Sequence, residues 1–143
     1  MVEIKSTLEL TDPIYQDAVT IRKKVFIEEQ GVTPELELEN EAGPRYFVGY
    51  LAKSPVVTAR VFEEKPGVWH IQRVATVKEV RGQGLAKELL LALEVEARKQ
   101  GIKKLTLGAQ DQAQGFYEKL GYHVKGAGFL DAGIAHHRMD KAL

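Results

Sequence analysis

The chain predicts a single α+β domain built around a mixed sheet, and three observations predict it. Short apolar stretches separated by turn residues run from Arg45 to Val77, an amphipathic helix precedes them, and a glycine-opened helix with a leucine stripe follows them. With 143 residues, 44% hydrophobic and 28% charged, the chain has the size and composition of one globular domain spanning residues 1–143.

Val2, Ile4 and Ser6 alternate with polar neighbours, which suits an opening strand. Thr11 or Asp12 before Pro13 is a helix-start signal, and Ile14, Ala18, Ile21 and Val25 then recur at helical spacing. A glutamate-rich region follows around Gly31 and Pro34. Arg45 to Ala52, Val56 to Glu63 and Val68 to Val77 read as three antiparallel strands turned by Ser54-Pro55 and Lys65-Pro66-Gly67. Leu85, Leu89, Leu93 and Ala97 share one stripe of the next helix, beside Ala86 and Leu90, and Gln100-Gly101-Ile102 ends it as a left-handed cap. Leu105, Leu107 and Ala109 make a strand. Asp111 with Gln114 reads as a capping box for a short helix carrying Phe116, Tyr117 and Leu120, which Gly121 stops. Two strands, Tyr122 to Lys125 and Ile134 to Asp140, close the sheet.

Composition excludes several chemistries. Lys plus Arg and Asp plus Glu both number 20, so nothing draws the chain as a whole to nucleic acid or an anionic membrane. It has no cysteine, which removes disulfides, thiolate metal sites and a thiol nucleophile. Met1 to Leu10 carries Glu3, Lys5 and Glu9 and lacks the apolar core of a signal peptide, so a cytoplasmic location is expected. His136 and His137 are adjacent on a strand and point to opposite faces with no nearby carboxylate or cysteine, so no metal site is expected.

The sharpest motif is Arg81-Gly82-Gln83-Gly84-Leu85-Ala86, between an apolar strand and a helix. Its glycines let the backbone turn and approach a ligand. The first helical N–H groups lack intrahelical partners, and Arg81 adds a cation, so the loop suits phosphate. The same glycines would equally serve strand-to-helix geometry alone. A P-loop needs Lys and Ser or Thr after its last glycine, where Leu85 and Ala86 stand. A dinucleotide loop needs Gly or Ala where Lys87 stands.

Taken with three other words, this motif resembles the GNAT superfamily of acetyl-CoA-dependent N-acetyltransferases. Arg81, Gly84 and Ala86 fit the family signature of Arg or Gln, two residues, Gly, one residue, Gly or Ala. Ile21-Arg22 to Val25-Phe26 with Glu28-Glu29-Gln30-Gly31, Arg73-Val74-Ala75, and Phe116 to Tyr122 agree in the same order. The ending Ala132-Gly133-Ile134-Ala135-His136 to Met139 is similar to that of a small bacterial subgroup.

The resemblance implies a mostly antiparallel sheet with splayed strands flanked by helices. It places the pantetheine arm of acetyl-CoA along Val74, Ala75, Thr76 and Val77. The pyrophosphate falls over Gly82, Gln83, Gly84, Leu85 and Ala86 near Arg81, with Gln110 and Phe116 also at the cofactor. Gln110 stands where the family often has asparagine, and Phe116 with Leu120 also reads as plain core.

Acetyl transfer to an amine needs a neutral amine, a stabilised oxyanion and a proton for the departing thiolate. Tyr117 matches the tyrosine that the family uses near the sulfur and is the expected general acid. A backbone N–H around Thr76 or Val77 is the expected oxyanion donor. The family often uses a glutamate on this strand as base, or only a water chain; the strand carries no glutamate, His70 is a candidate base, and Glu28 and Glu29 are its rivals. Phe26, Glu28, Glu29 and His136 are expected at the acceptor.

The six glutamates between Glu28 and Glu41, with no Lys or Arg among them, would draw a cationic amine or would simply be a solvated loop. The acceptor would be a small-molecule or peptide amine, and a homodimer is common in the family. The rival reading is a CoA-binding sensor with little transferase activity.

Overall fold

A computed structural model describes residues 2–34 and 40–143. Strand β1 (Glu3–Thr7) leads to helix α1 (Pro13–Arg22), whose Asp12 N-cap accepts from the Ile14 amide at 2.8 Å, as its start signal predicts. The helix continues as a π-helical segment, Lys23–Glu29, a geometry the 3.6-residue pattern does not announce. Strands β2 (Arg45–Leu51), β3 (Ser54–Lys65) and β4 (Val68–Thr76) form the expected meander, but its first turn is not Ser54-Pro55: those residues pair with Leu51 and Tyr50 inside β3, and Ala52 and Lys53, at φ 50 and 69, make the turn. Helix α2 (Leu85–Lys99) follows the glycine loop, then β5 (Lys104–Gln110), helix α3 (Gln114–Lys119), β6 (His123–Asp131) and β7 (Ile134–Ala142).

The seven strands lie in the order β1-β2-β3-β4-β5-β7-β6, and β4 with β5 is the parallel pair among them. A parallel step needs a crossover, and α2 supplies it. Its Leu85, Leu89, Leu93 and Ala97 are buried together with Ile21 and Val25 of the first helix and with Val61, Ile71, Leu105 and Leu107 of the sheet. Gly101 at φ 76 ends α2, with the Ile102 amide bonded to the Ala97 carbonyl at 2.9 Å.

The expected capping box at Asp111 does not form. A 3₁₀ turn, Asp111–Ala113, precedes α3, and the Asp111 carboxylate instead accepts from the Gln114 side chain at 3.2 Å and from His137 Nδ1 at 2.7 Å.

The feature that positions the site is where pairing stops. β4 and β5 pair only from Val68↔Lys104 to Ile71↔Leu107. Beyond that point β4 carries a bulge: Thr58 faces Ala75 and Arg60 faces Gln72, so β4 uses three steps against two. Arg73 in that bulge has φ 57, a left-handed conformation that costs an L-residue about 1–2 kcal/mol. The bulge bends β4 away while β5 stays paired with β7 as far as Gln110↔His136, and a wedge opens between them.

Candidate active site

The wedge is a cleft of about 790 Å³, the size of an ordinary small-molecule site. Val74, Ala75 and Thr76, with His70 earlier on the same strand and Arg81 beyond it, line one side, Gln110 and Tyr117 the other, and Phe26 and His136 complete the lining. Sequence positions from 26 to 136 thus meet in one place. Gly82, Gln83, Gly84, Leu85, Ala86, Phe116, Glu28 and Glu29 do not line the cleft.

Val77 departs from expectation. Its side chain is buried in the core, and its amide already donates to the Val56 carbonyl at 2.9 Å, so it offers no donor to an oxyanion. In an extended strand the N–H and C=O of one residue leave on the same side, and the side alternates. With Val77 bonded towards β3, Thr76 faces the open wedge, where its carbonyl accepts from Arg81 Nε at 3.0 Å. Of the two residues expected to offer the donor, Thr76 is the one whose backbone faces the wedge.

Gly82 and Gly84 lie at φ 82 and φ 76, and a Cβ built on either meets no atom within 4 Å. The loop needs glycine for its backbone conformation, and the space in front of it is open. Gly84 caps α2 with no side-chain hydrogen bond, so the helix start keeps donors for a ligand. The side chain of Leu85 is in the core, leaving only its backbone for that role.

Arg81 and Glu29, expected on different ligands, hold each other. The two terminal guanidinium nitrogens donate to the carboxylate, at 2.5 and 2.6 Å. The hydrogen bond from Arg81 holds the Glu29 carboxyl below its ordinary range. Glu28 is exposed.

Glu41, another of the six glutamates, is engaged as well. Its carboxylate accepts from Arg22 at 2.8 and 3.0 Å, from Arg60 at 2.5 Å and from the Tyr15 hydroxyl at 2.8 Å. Burial by itself raises this carboxyl; the hydrogen bond and charge of Arg22, the Tyr15 hydroxyl and the charge of Arg60 outweigh it and hold it below its ordinary value. The charges of Glu29 and Glu41 are thus matched by arginines, which removes them from the expected attraction for a cationic amine. Glu35, Glu37 and Glu39 lie outside the described residues.

Tyr117 is buried, with Phe116 and Tyr122 edge-on to its ring at 5.0 and 5.8 Å between centroids. Burial pushes its phenol up to about 12, so the proton stays on at any working pH. Phe116 itself is exposed and reaches the cleft only through its ring contact with Tyr117.

Each cleft histidine has one nitrogen fixed. His136 Nδ1 lies 2.7 Å from the Ile134 carbonyl, which only accepts, so that nitrogen carries the hydrogen. His136 is buried and stacked on Phe129. His70 Nδ1 lies 3.0 Å from Glu64 on β3, and its ring stacks on Phe62. The sequence reading missed Glu64, which sits at the register shift of β3 next to the Lys65-Pro66-Gly67 turn.

A family model for the acetyltransferase (GNAT) domain matches residues 10–143. The chain is 36% identical over 142 residues to the uncharacterized N-acetyltransferase YjcF of Bacillus subtilis, covering 96% of this chain and 99% of that one. Its fold superposes on that of a putative N-acetyltransferase from Lactobacillus plantarum with a TM-score of 0.91 at 28% identity, covering 99% and 98% of the two chains. It superposes on Escherichia coli ElaA with a TM-score of 0.84 at 23% identity, covering 99% of each, a likeness of fold. With the wedge between β4 and β5, the glycine loop and the Tyr117 helix all in place, the chain belongs to the GNAT acetyltransferase family.

Proposed function

We propose that this acetyltransferase moves an acetyl group from acetyl-CoA to a primary amine by direct transfer, with both substrates bound together and no covalent acetyl-enzyme. The observation that carries the reading is the meeting of an unpaired strand edge, a protonated phenol and a carboxylate-bound imidazole in one cleft.

The residues fit an acyl-CoA. The open edge of β4 from Gln72 to Thr76 has backbone groups for an amide-bearing arm to pair with, and the loop is open where a Cβ would project at Gly82 and Gly84. When bound, the donor supplies an acyl carbon activated as a thioester. Thr76 N–H faces the side on which the acyl oxygen would gain charge, and a fixed donor needs no reorganisation there. Tyr117 holds a proton for the departing thiolate. His70 takes the proton that the amine nitrogen loses as its bond to the acyl carbon forms and the carbon–sulfur bond breaks.

The two cleft imidazoles differ in the partner of Nδ1, a carboxylate for His70 and a neutral carbonyl for His136, which is also stacked on Phe129. His70 is therefore the base and His136 a wall of the acceptor site. The acceptor is a small-molecule or peptide amine.

Two variants test the donor side. Gly84→Val forces a branched side chain into φ 76 and into the open space before α2. Calorimetry should show the Kd for CoA raised by about 10-fold or more, with turnover at saturating donor little changed; unchanged affinity would remove the loop from the site. Glu29→Gln frees Arg81 from its carboxylate beside that loop. CoA should then bind a few-fold more tightly at low salt, with the gain fading as salt is added. Weaker binding at every salt concentration would mean that the ion pair shapes the loop.

A further inference from the structure

Resting on the transferase reading above, we infer that Glu64 is the positioning residue for the His70 base, and that Arg138, reaching over from β7, locks the carboxylate in place. Glu64 falls within a second irregularity of the sheet: Glu63 faces Trp69 and Lys65 faces Val68, so β3 spends two steps where β4 spends one. A bulge of this kind re-aims a side chain. Here it sets the Glu64 carboxylate 3.0 Å from His70 Nδ1.

Arg138 closes the other side. Its two terminal nitrogens donate to the two Glu64 oxygens, at 3.3 and 2.9 Å, and its Nε donates to Asp140 at 3.3 Å. Asp140 also accepts from Thr106 at 2.5 Å and faces Lys104 at 3.4 Å. His70, Thr106 and Asp140 stand in one cross-strand row through β4, β5 and β7, so the register of the sheet fixes the spacing of the chain of contacts. The charged groups around the imidazole are thus Glu64 directly, then Arg138, Asp140 and Lys104 behind it.

The consequence is a choice of tautomer. The hydrogen bond from Arg138, then that from His70, lowers the Glu64 carboxyl to about 2. It is an acceptor only, so His70 must carry its hydrogen on Nδ1. The lone pair is then on Nε2, the nitrogen that takes the amine proton. A carboxylate that holds an imidazole in the productive tautomer acts through orientation and through support of the imidazolium, and not by taking the proton itself. Phe62, stacked at 5.0 Å, restrains the ring plane.

The deciding measurement is ¹⁵N NMR of the His70 ring in the full chain without ligand. The wild type should show the Nδ1–H form, Glu64→Ala should shift the ring towards the Nε2–H form favoured by an unrestrained histidine, and Glu64→Gln, which keeps an acceptor oxygen, should retain Nδ1–H. A His70 spectrum indifferent to Glu64→Ala overturns the inference.

Kinetics supply the second arm, as CoA release from acetyl-CoA with spermidine, glucosamine or a tripeptide with a free N-terminus as acceptor. Glu64→Ala should lower turnover by about 10²-fold, with the Kd for CoA within about twofold of wild type. Glu64→Gln should fall between the two. A wild-type rate in Glu64→Ala also overturns the role. A wild-type chain that releases no CoA with any acceptor contradicts the transferase reading, while the tautomer result still decides the Glu64 contact.

Discussion

Tyr117→Phe lowers turnover by about 10²-fold or more and leaves the Kd for CoA within about twofold of wild type. The prediction follows from how little else the hydroxyl does. The ring is buried and braced edge-on by Phe116 and Tyr122, contacts that phenylalanine keeps. Burial alone accounts for a phenol raised to about 12, with no hydrogen bond contributing. The substitution therefore deletes a proton donor at the cleft wall without opening a cavity. The Tyr117 phenol also places no falling limb in the rate profile below about pH 11. Equal loss of turnover and affinity, or a large fall in thermal stability, would make Tyr117 a packing residue.

Glu41→Gln should lower the melting temperature by roughly 10–20 °C, corresponding to about 3–5 kcal/mol. Arg22 and Arg60 are almost wholly buried, at 1% and 2% exposure, and Glu41 is bonded to both. Removing its charge takes away an anion to which both buried guanidinium groups donate. The sign of the pH dependence follows from the lowered Glu41 carboxyl. A carboxyl whose folded pKa is depressed contributes stability that is fully present above its unfolded pKa of about 4.3 and is lost as pH falls through the folded value. Thermal melts between pH 7 and 3 should show the wild type losing its advantage over Glu41→Gln on the acid side. A variant that melts with the wild type at neutral pH would show that the cluster contributes specificity rather than stability.

These cases mark what the sequence could and could not disclose. Signals that act within a few residues were readable. Asp12 caps α1, Gly101 ends α2, and the leucine stripe of α2 faces the sheet, because capping and periodicity are local physics. The wedge residues were readable through family words whose order matches the order of the elements that bring them together.

Pairings between charged groups far apart in the chain were not. Glu41 meets Arg22 and Arg60 from 19 residues away on either side, and Arg81 meets Glu29 across 52. A glutamate-rich run reads as a solvated or attracting surface until the fold shows which cations stand opposite it. The Asp111 capping box failed for the same reason, since His137 from a distant strand competes for its carboxylate. Glu64 lies between these extremes. It lies one tight turn from His70, but the bulge that aims it there leaves no local signal, and a search for a glutamate on β4 alone passed over its neighbour on β3.

The central claim is that this cleft transfers acetyl groups to amines, and the most direct measurement is CoA thiol released from acetyl-CoA as polyamines, amino sugars, amino acids and peptides are added one at a time. The account predicts release that depends on one class of acceptor and collapses by about 10²-fold in Tyr117→Phe. Silence across the panel, together with no heat of CoA binding by calorimetry, would contradict it.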